Sequence, residues 1–185
     1  MSFDLPVIHP PYRIFYNLSI SFCAKSAARS IATLANLMQE LSSEDGALSL
    51  DDIDVESVLD ELQNIVLQGG AVSRYFWPVD KASKKRGEEL RRQYNISDDS
   101  PLKSRHLRNA IEHFDERLDH YFSGSVVGTI IPHYVGPEPP PSQVKCHFFR
   151  AYYMDTGVFE LLGHRYHMEP LSRELWRIEG GDVST

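Results

Sequence analysis

The sequence predicts a mainly α, α+β protein: a four-helix bundle over residues 10–122, then a β-hairpin or small sheet with a short closing helix over 123–185. Two observations predict it. Apolar residues recur at three- and four-residue steps through the first two thirds of the chain, the period of an amphipathic helix. After "SGS" at 123–125 the period changes, and β-branched and aromatic residues take over. A length of 185 residues is that of a single domain with a sizeable core.

Each element has its own signal. Pro6, Pro10 and Pro11 are expected to keep the first dozen residues extended. The run "YRIFYNLSISFCAKSAARSIATLANLMQELSS" lacks Pro and Gly. Ile14, Leu18, Phe22, Ile31, Leu34, Leu37, Met38 and Leu41 give it a helical period. Its middle, with Ala24, Ala27, Ala28, Ala32 and Ala35, allows close approach of a partner helix. "SSEDGALSLDDID" is a polar break. The second helix, "VESVLDELQNIVLQGGAVSRYFWP", starts with acidic residues where the helix dipole favours them, and Gly69 and Gly70 are expected to weaken its end. "DKASKKRGEELRRQYNI" is a third, highly charged helix. "SDDSP" supplies caps for the fourth, "LRNAIEHFDERLDHYF". "VVGTIIPHYV" and "VKCHFFRAYYM" read as strands joined by an exposed polyproline-like "GPEPPPS", and "KCHFFRAYYM-DTG-VFELLGHRYHM" reads as a hairpin. "EPLSRELWRIE" closes the chain as a helix with Pro170 in its first turn.

Composition excludes several function classes. Hydrophobic residues make up 42% and charged residues 24%, as in ordinary globular proteins. A net charge of −7 argues against broad coating of nucleic acid and leaves room only for a local basic site. Cys23 and Cys146 form no CxxC pair and are expected as buried thiols in a reducing compartment. The start "MSFDLPVIHPPY" lacks a signal-peptide pattern, and no run reaches the roughly 18 apolar residues of a membrane span. The expectation is a cytoplasmic protein with no membrane partner. No dinucleotide, phosphate-loop, nucleophile-elbow or paired-cysteine motif is present, so no cofactor is expected.

Chemistry concentrates in the fourth helix. On an ideal helix Leu107, Ile111, Phe114, Leu118, Tyr121 and Phe122 share a core stripe. Asn109, His113, Glu116 and His120 form a second stripe, and Arg108 lies with Glu112, Asp115 and Asp119 on a third. Arg108 and His113 are thereby separated by about 140° around the axis. Only a bend at the helix start or the reach of a long arginine would unite them.

The run from Arg108 through Asn109 to His113 resembles the Arg-(four to six residues)-His motif of the HEPN superfamily, in which a polar residue commonly follows the Arg. The resemblance covers residues 10–122. It implies a HEPN-type helical bundle that forms a homodimer, with two motifs lining one cleft, and a metal-independent endoribonuclease of toxin or defence type. On that reading the 2′-OH of RNA is the nucleophile, and the protein moves protons and stabilises charge. His113 handles the proton, Arg108 the scissile phosphate, and Asn109 orients His113 or holds the phosphate. Arg105, His106 and His120 are the expected RNA-binding neighbours, helped by Lys103. Glu112, Asp115, Glu116 and Asp119 depart from the pattern, because negative charge repels phosphate. The alternative is a non-catalytic HEPN-like module for dimerisation or partner binding. A further reading makes the acidic chain an inhibitor of a basic partner protein.

Three other groups carry less. His164 and His167 point to opposite faces of a strand and make a poor chelating pair with His147, so no metal is expected. "SRYFWP" and "FFRAYY" are aromatic clusters read as core. Lys81, Lys84, Lys85, Arg86, Arg91 and Arg92 form the strongest basic run, read as a solvated face and as the best electrostatic surface for a nucleic-acid backbone or an acidic partner.

Overall fold

The computed structural model describes residues 8–42, 49–141 and 145–180. Among them are six helices and one four-stranded sheet, a mixed α/β architecture dominated by helix.

Helix α1 spans Pro10–Ser42. It starts at the prolines expected to keep the chain extended. Proline is suited to a helix's first turn, where its missing N–H would have no partner and its fixed φ already matches the helix. Helix α2, Val55–Phe76, is capped by the Asp54 carboxylate, which accepts from the Ser57 N–H at 3.1 Å. The two helices run antiparallel. Tyr16 meets Tyr75 at one end, and the Asn64 amide donates to the Ser30 hydroxyl at 2.8 Å further along. Ala24, Ala27 and Ala28 are buried, which lets the backbones approach. Residues 43–48 of the polar break between α1 and α2 lie outside the described residues.

Gly69 and Gly70 do not end α2; both are buried within it. Their lack of a side chain is used for packing. A Cβ on Gly69 would meet Leu171 Cδ1 at 3.1 Å. Helix α3, Lys84–Gln93, sits across the end of α2 and reaches α1 through the Arg13–Glu89 ion pair. Helix α6, Glu169–Glu179, packs along α1 and ends at Gly180, whose φ of 100° lets it cap the helix in the left-handed conformation.

The fourth helix is two helices, α4 (His106–Glu112) and α5 (Phe114–Phe122). They part at His113, whose φ of −118° and ψ of 39° leave helical space. The expected core stripe therefore holds only in its first half. Leu107, Ile111 and Phe114 pack against the core, whereas α5 buries no residue and Phe122 is exposed. Just past the break, Phe114 lies under the Arg150 guanidinium, 3.8 Å from ring centroid to Cζ.

Strands β1 (Thr129–Gly136), β2 (Cys146–Tyr153), β3 (Val158–Leu161) and β4 (His164–His167) stand in chain order. The hairpin joining β2 to β3 is antiparallel, with its turn at Asp155–Gly157, as the sequence suggests. The sequence expects a hairpin or a small sheet, and the structure has the small sheet, with two features the hairpin alone does not contain. The second arm folds again at Leu162 and Gly163 to make β4, and β1 lies parallel to β2. Parallel strands need a connection that returns to the starting end. The connection begins with Pro137, Pro139, Pro140 and Pro141, and residues 142–144 lie outside the described residues. Pro132 sits inside β1, which pairs on one side only.

One buried cluster joins helices and sheet, with Ile20, Leu62, Phe76 and Leu175 beside Val135, Phe159 and Leu161. The opposite face of the sheet has its own cluster around Phe148 and Tyr153, closed by Tyr134. Cys23 is half-buried and Cys146 exposed, so neither is the fully buried thiol the composition suggested. No described helix is long and apolar enough to cross a membrane.

Candidate functional site

Arg108 lines a cavity of about 350 Å³ between α2, the start of α4, the edge strand β4 and α6. The walls are mostly apolar, with Val66, Leu102, Leu107 and Leu171 among them. Polar atoms come from Arg108 and from Ser104, Arg165 and His167. The floor is the Gly69–Gly70 pair. A Cβ on Gly70 would lie 2.8 Å from Arg108 Cγ and closer still to Cδ, so the arginine stem lies where a side chain would stand.

The Arg108 head is engaged through Nε and Nη2. Its Nε lies 3.1 Å from Glu112 Oε2, and its Nη2 donates to Asn109 Oδ1 at 2.6 Å. Glu112 also receives Arg74 of α2 at 3.1 Å, so one carboxylate ties two arginines and two helices together. The side chain of Arg108 is 13% exposed. Asn109 therefore positions Arg108, not His113.

His113 stands elsewhere. Its side chain is 57% exposed and its Nδ1 lies 3.6 Å from Glu116 Oε1. Among the described residues no hydrogen bond or ion pair joins it to Arg108, and it does not line the cavity. The break at His113 does not draw the two together within one chain.

The expected RNA-binding neighbours scatter. Arg105 donates to the Trp77 carbonyl at 2.7 Å, where with Arg91 on Phe76 it satisfies the open end of α2. His106 is exposed at the start of α4, and the Lys103 ammonium donates to the Asp98 carbonyl at 3.0 Å. His120 lies in a separate cleft between α5 and the turn from β3 to β4. Within the basic run, Arg86 lies over Tyr16 and Arg91 over Trp77, leaving Lys81, Lys84, Lys85 and Arg92 exposed. Phe76 of "SRYFWP" and Phe148 of "FFRAYY" are buried, the packing role the sequence suggests.

Among the described residues no group of three His, Cys, Asp or Glu side chains is placed to hold a metal. His147 on β2 is separated from His164 and His167 on β4 by β3, and its ring nitrogens engage Tyr121 and the Val127 carbonyl.

Sequence reasoning missed Gly70 and the contribution of β4 to the cavity. A Gly-Gly pair inside a helical period signals close approach of another group, and that signal was available. Nothing in "LLGHRY" marks its turn as strongly as an Asn-Gly pair would. The chain matches no family model, no curated protein and no solved structure.

Chemically, the Arg108 cavity suits binding. It offers an apolar body and a neutralised guanidinium, with no acid–base pair aimed at a common point.

Proposed function

We propose that this chain is a HEPN-like helical module that mediates dimerisation, with a second copy of itself seated on the first half of α1. One observation carries the reading. Ile14, Leu18 and Phe22, which set the helical period of α1, are 57–71% exposed, as is Phe15 beside them. At about 100° per residue they form one stripe over three turns, with no charged residue between them on that face. Large side chains of this kind offer on the order of 500 Å², at the upper end for monomer surface patches and a substantial share of the roughly 800 Å² per partner in a stable interface. A twofold axis across one helix makes such a stripe self-complementary.

The test is a molar-mass measurement in solution, by light scattering on an eluting column. The native chain should run as a dimer at tens of micromolar, and the double variant Leu18→Glu, Phe22→Glu as a monomer with unchanged circular dichroism. A monomeric native chain, or a variant that stays dimeric, defeats the reading.

A second reading, metal-independent endoribonuclease, is supported by Arg108 lying in a cavity and by the exposure of His113. Arg108, Asn109 and His113 would act on the scissile phosphate, with Arg105, His106 and His120 binding RNA, in a cytoplasmic toxin or defence setting. It requires cleavage of RNA that survives EDTA and is lost in both Arg108→Ala and His113→Ala. Retention of activity in both variants removes it.

A further inference from the structure

The cleft that holds His120 is distinct from the Arg108 cavity, and its volume is again about 350 Å³. One wall is α5, which places Glu116, Arg117, His120 and Tyr121 side by side. The other is the turn from β3 to β4, with Leu162 and His164.

That turn is unusual. Leu162 has a φ of 48° and Gly163 a φ of 81°, two left-handed residues in succession. Glycine adopts this readily and leucine does not. Leu162 is held there by a side chain only 6% exposed and by an N–H that donates to the Phe149 carbonyl at 3.1 Å. Non-glycine residues kept in such conformations gather at binding and active sites.

Behind the cleft, the Tyr121 hydroxyl donates to His147 Nδ1, and His147 Nε2 donates to the Val127 carbonyl at 3.0 Å. These bonds engage both ring nitrogens of a histidine that is 4% exposed. Burial, and then the charge of Glu160, push the Tyr121 phenol above its ordinary value, so it stays a neutral donor.

Charge is the third observation. In this acidic chain seven of the thirteen arginines have a carboxylate among the described residues: Arg13 with Glu89, Arg74 and Arg108 with Glu112, Arg91 with Asp98, Arg165 with Glu138, Arg173 with Glu169, and Arg177 with Glu174. Arg117 has no side-chain partner among the described residues, and neither do His120 and His164. The carboxylate in the cleft, Glu116, is turned to His113. A guanidinium offers parallel N–H groups that match a phosphate, and imidazoles add donors from both walls.

We propose that this cleft binds a phosphate-bearing small molecule, with the phosphate on Arg117 between His120 and His164. The proposal stands apart from both functional readings and shares only His120 with the nuclease one.

The test follows the histidine ring resonances of the full chain by NMR during titration with sodium phosphate, uridine 3′-phosphate and acetate at fixed ionic strength and pH 6.5. Saturable shifts of His120 and His164 with the two phosphates are expected, with at least tenfold weaker binding in Arg117→Gln and native binding in Arg173→Gln on α6. His164→Gln, on an exposed turn, should weaken binding at least threefold and decides the matter if Arg117→Gln misfolds. Absence of saturation, unchanged affinity in His164→Gln, or acetate binding as well as phosphate would overturn the proposal.

Discussion

The stem of Arg108 lies in the space that a side chain on Gly70 would fill, so the glycine of one helix and the arginine of another form a single fitted contact. Gly70→Ala should therefore destabilise the protein. Alanine favours a helix interior by about 1 kcal/mol over glycine, but overpacking costs roughly 1–3 kcal/mol and displaces Arg108 from Glu112. Gly69→Ala, meeting only the methyl ends of Leu171, Leu175 and Leu102 at 3.1–3.6 Å, should be close to neutral. Urea unfolding midpoints compare the two, and equal midpoints would show that Arg108 yields without loss.

Arg108 and His113 should separate in stability as they do in space. Arg108→Ala leaves Glu112 with one partner and opens the cavity, a loss of about 1–3 kcal/mol. His113→Ala removes an exposed contact worth at most about 0.5 kcal/mol. Any effect of Arg108→Ala on activity must be read against that loss of fold. Thermal melts of both variants check the ranking.

Arg105 acts as a cap before it acts on any ligand. Arg105→Ala removes its bond to the Trp77 carbonyl at the end of α2 and should cost about 1–2 kcal/mol, lowering Tm by roughly 2–8 °C. Arg105→Lys should recover only part, because an ammonium lacks the guanidinium fork. A Tm unchanged in Arg105→Ala would remove the capping role.

Alkali should unfold the protein before five of its tyrosines ionise. Burial raises the phenols of Tyr94, Tyr121, Tyr134, Tyr152 and Tyr153, with Glu160 adding to the effect at Tyr121 and Tyr153. Groups raised in the folded state contribute stability that is complete below the unfolded value near 10 and lost as pH rises through the folded one. The urea midpoint should fall above pH 10, with phenolate absorbance at about 295 nm rising together with loss of far-ultraviolet signal. Asp52 works the other way. The Ser49 hydroxyl, then its N–H, lower the Asp52 carboxyl, so its contribution is present above about pH 4 and fades as pH falls. Ionisation of these five phenols near pH 10 in a chain of native circular dichroism would contradict the alkaline expectation.

Local signals made much of the fold legible. Asp54 and Glu56 announce α2, Pro170 announces α6, and Asp155–Gly157 announces the turn between β2 and β3. Interactions between distant residues were not legible. No proline or glycine marks the break at His113, and a leucine stands where the β3–β4 turn needs a left-handed residue. The apolar period of α1 correctly gives a helix, but period alone does not say whether Phe15 and Phe22 meet this chain or another. At the candidate site the ideal-helix angle rightly keeps Arg108 from His113. The close fit to Gly70 depends on where α4 crosses α2, which spacing along one helix does not contain.

Pro132 has a consequence for how this protein fails under stress. A strand from another molecule would find no N–H donor at that position of β1, and at β4 only four residues, among them His164, Arg165 and His167. Both margins of the sheet thus resist amyloid-type growth, since an added strand gains an interrupted ladder at one and a short, basic one at the other. Aggregates of the folded chain should grow by contact between helices and leave amyloid dyes dark.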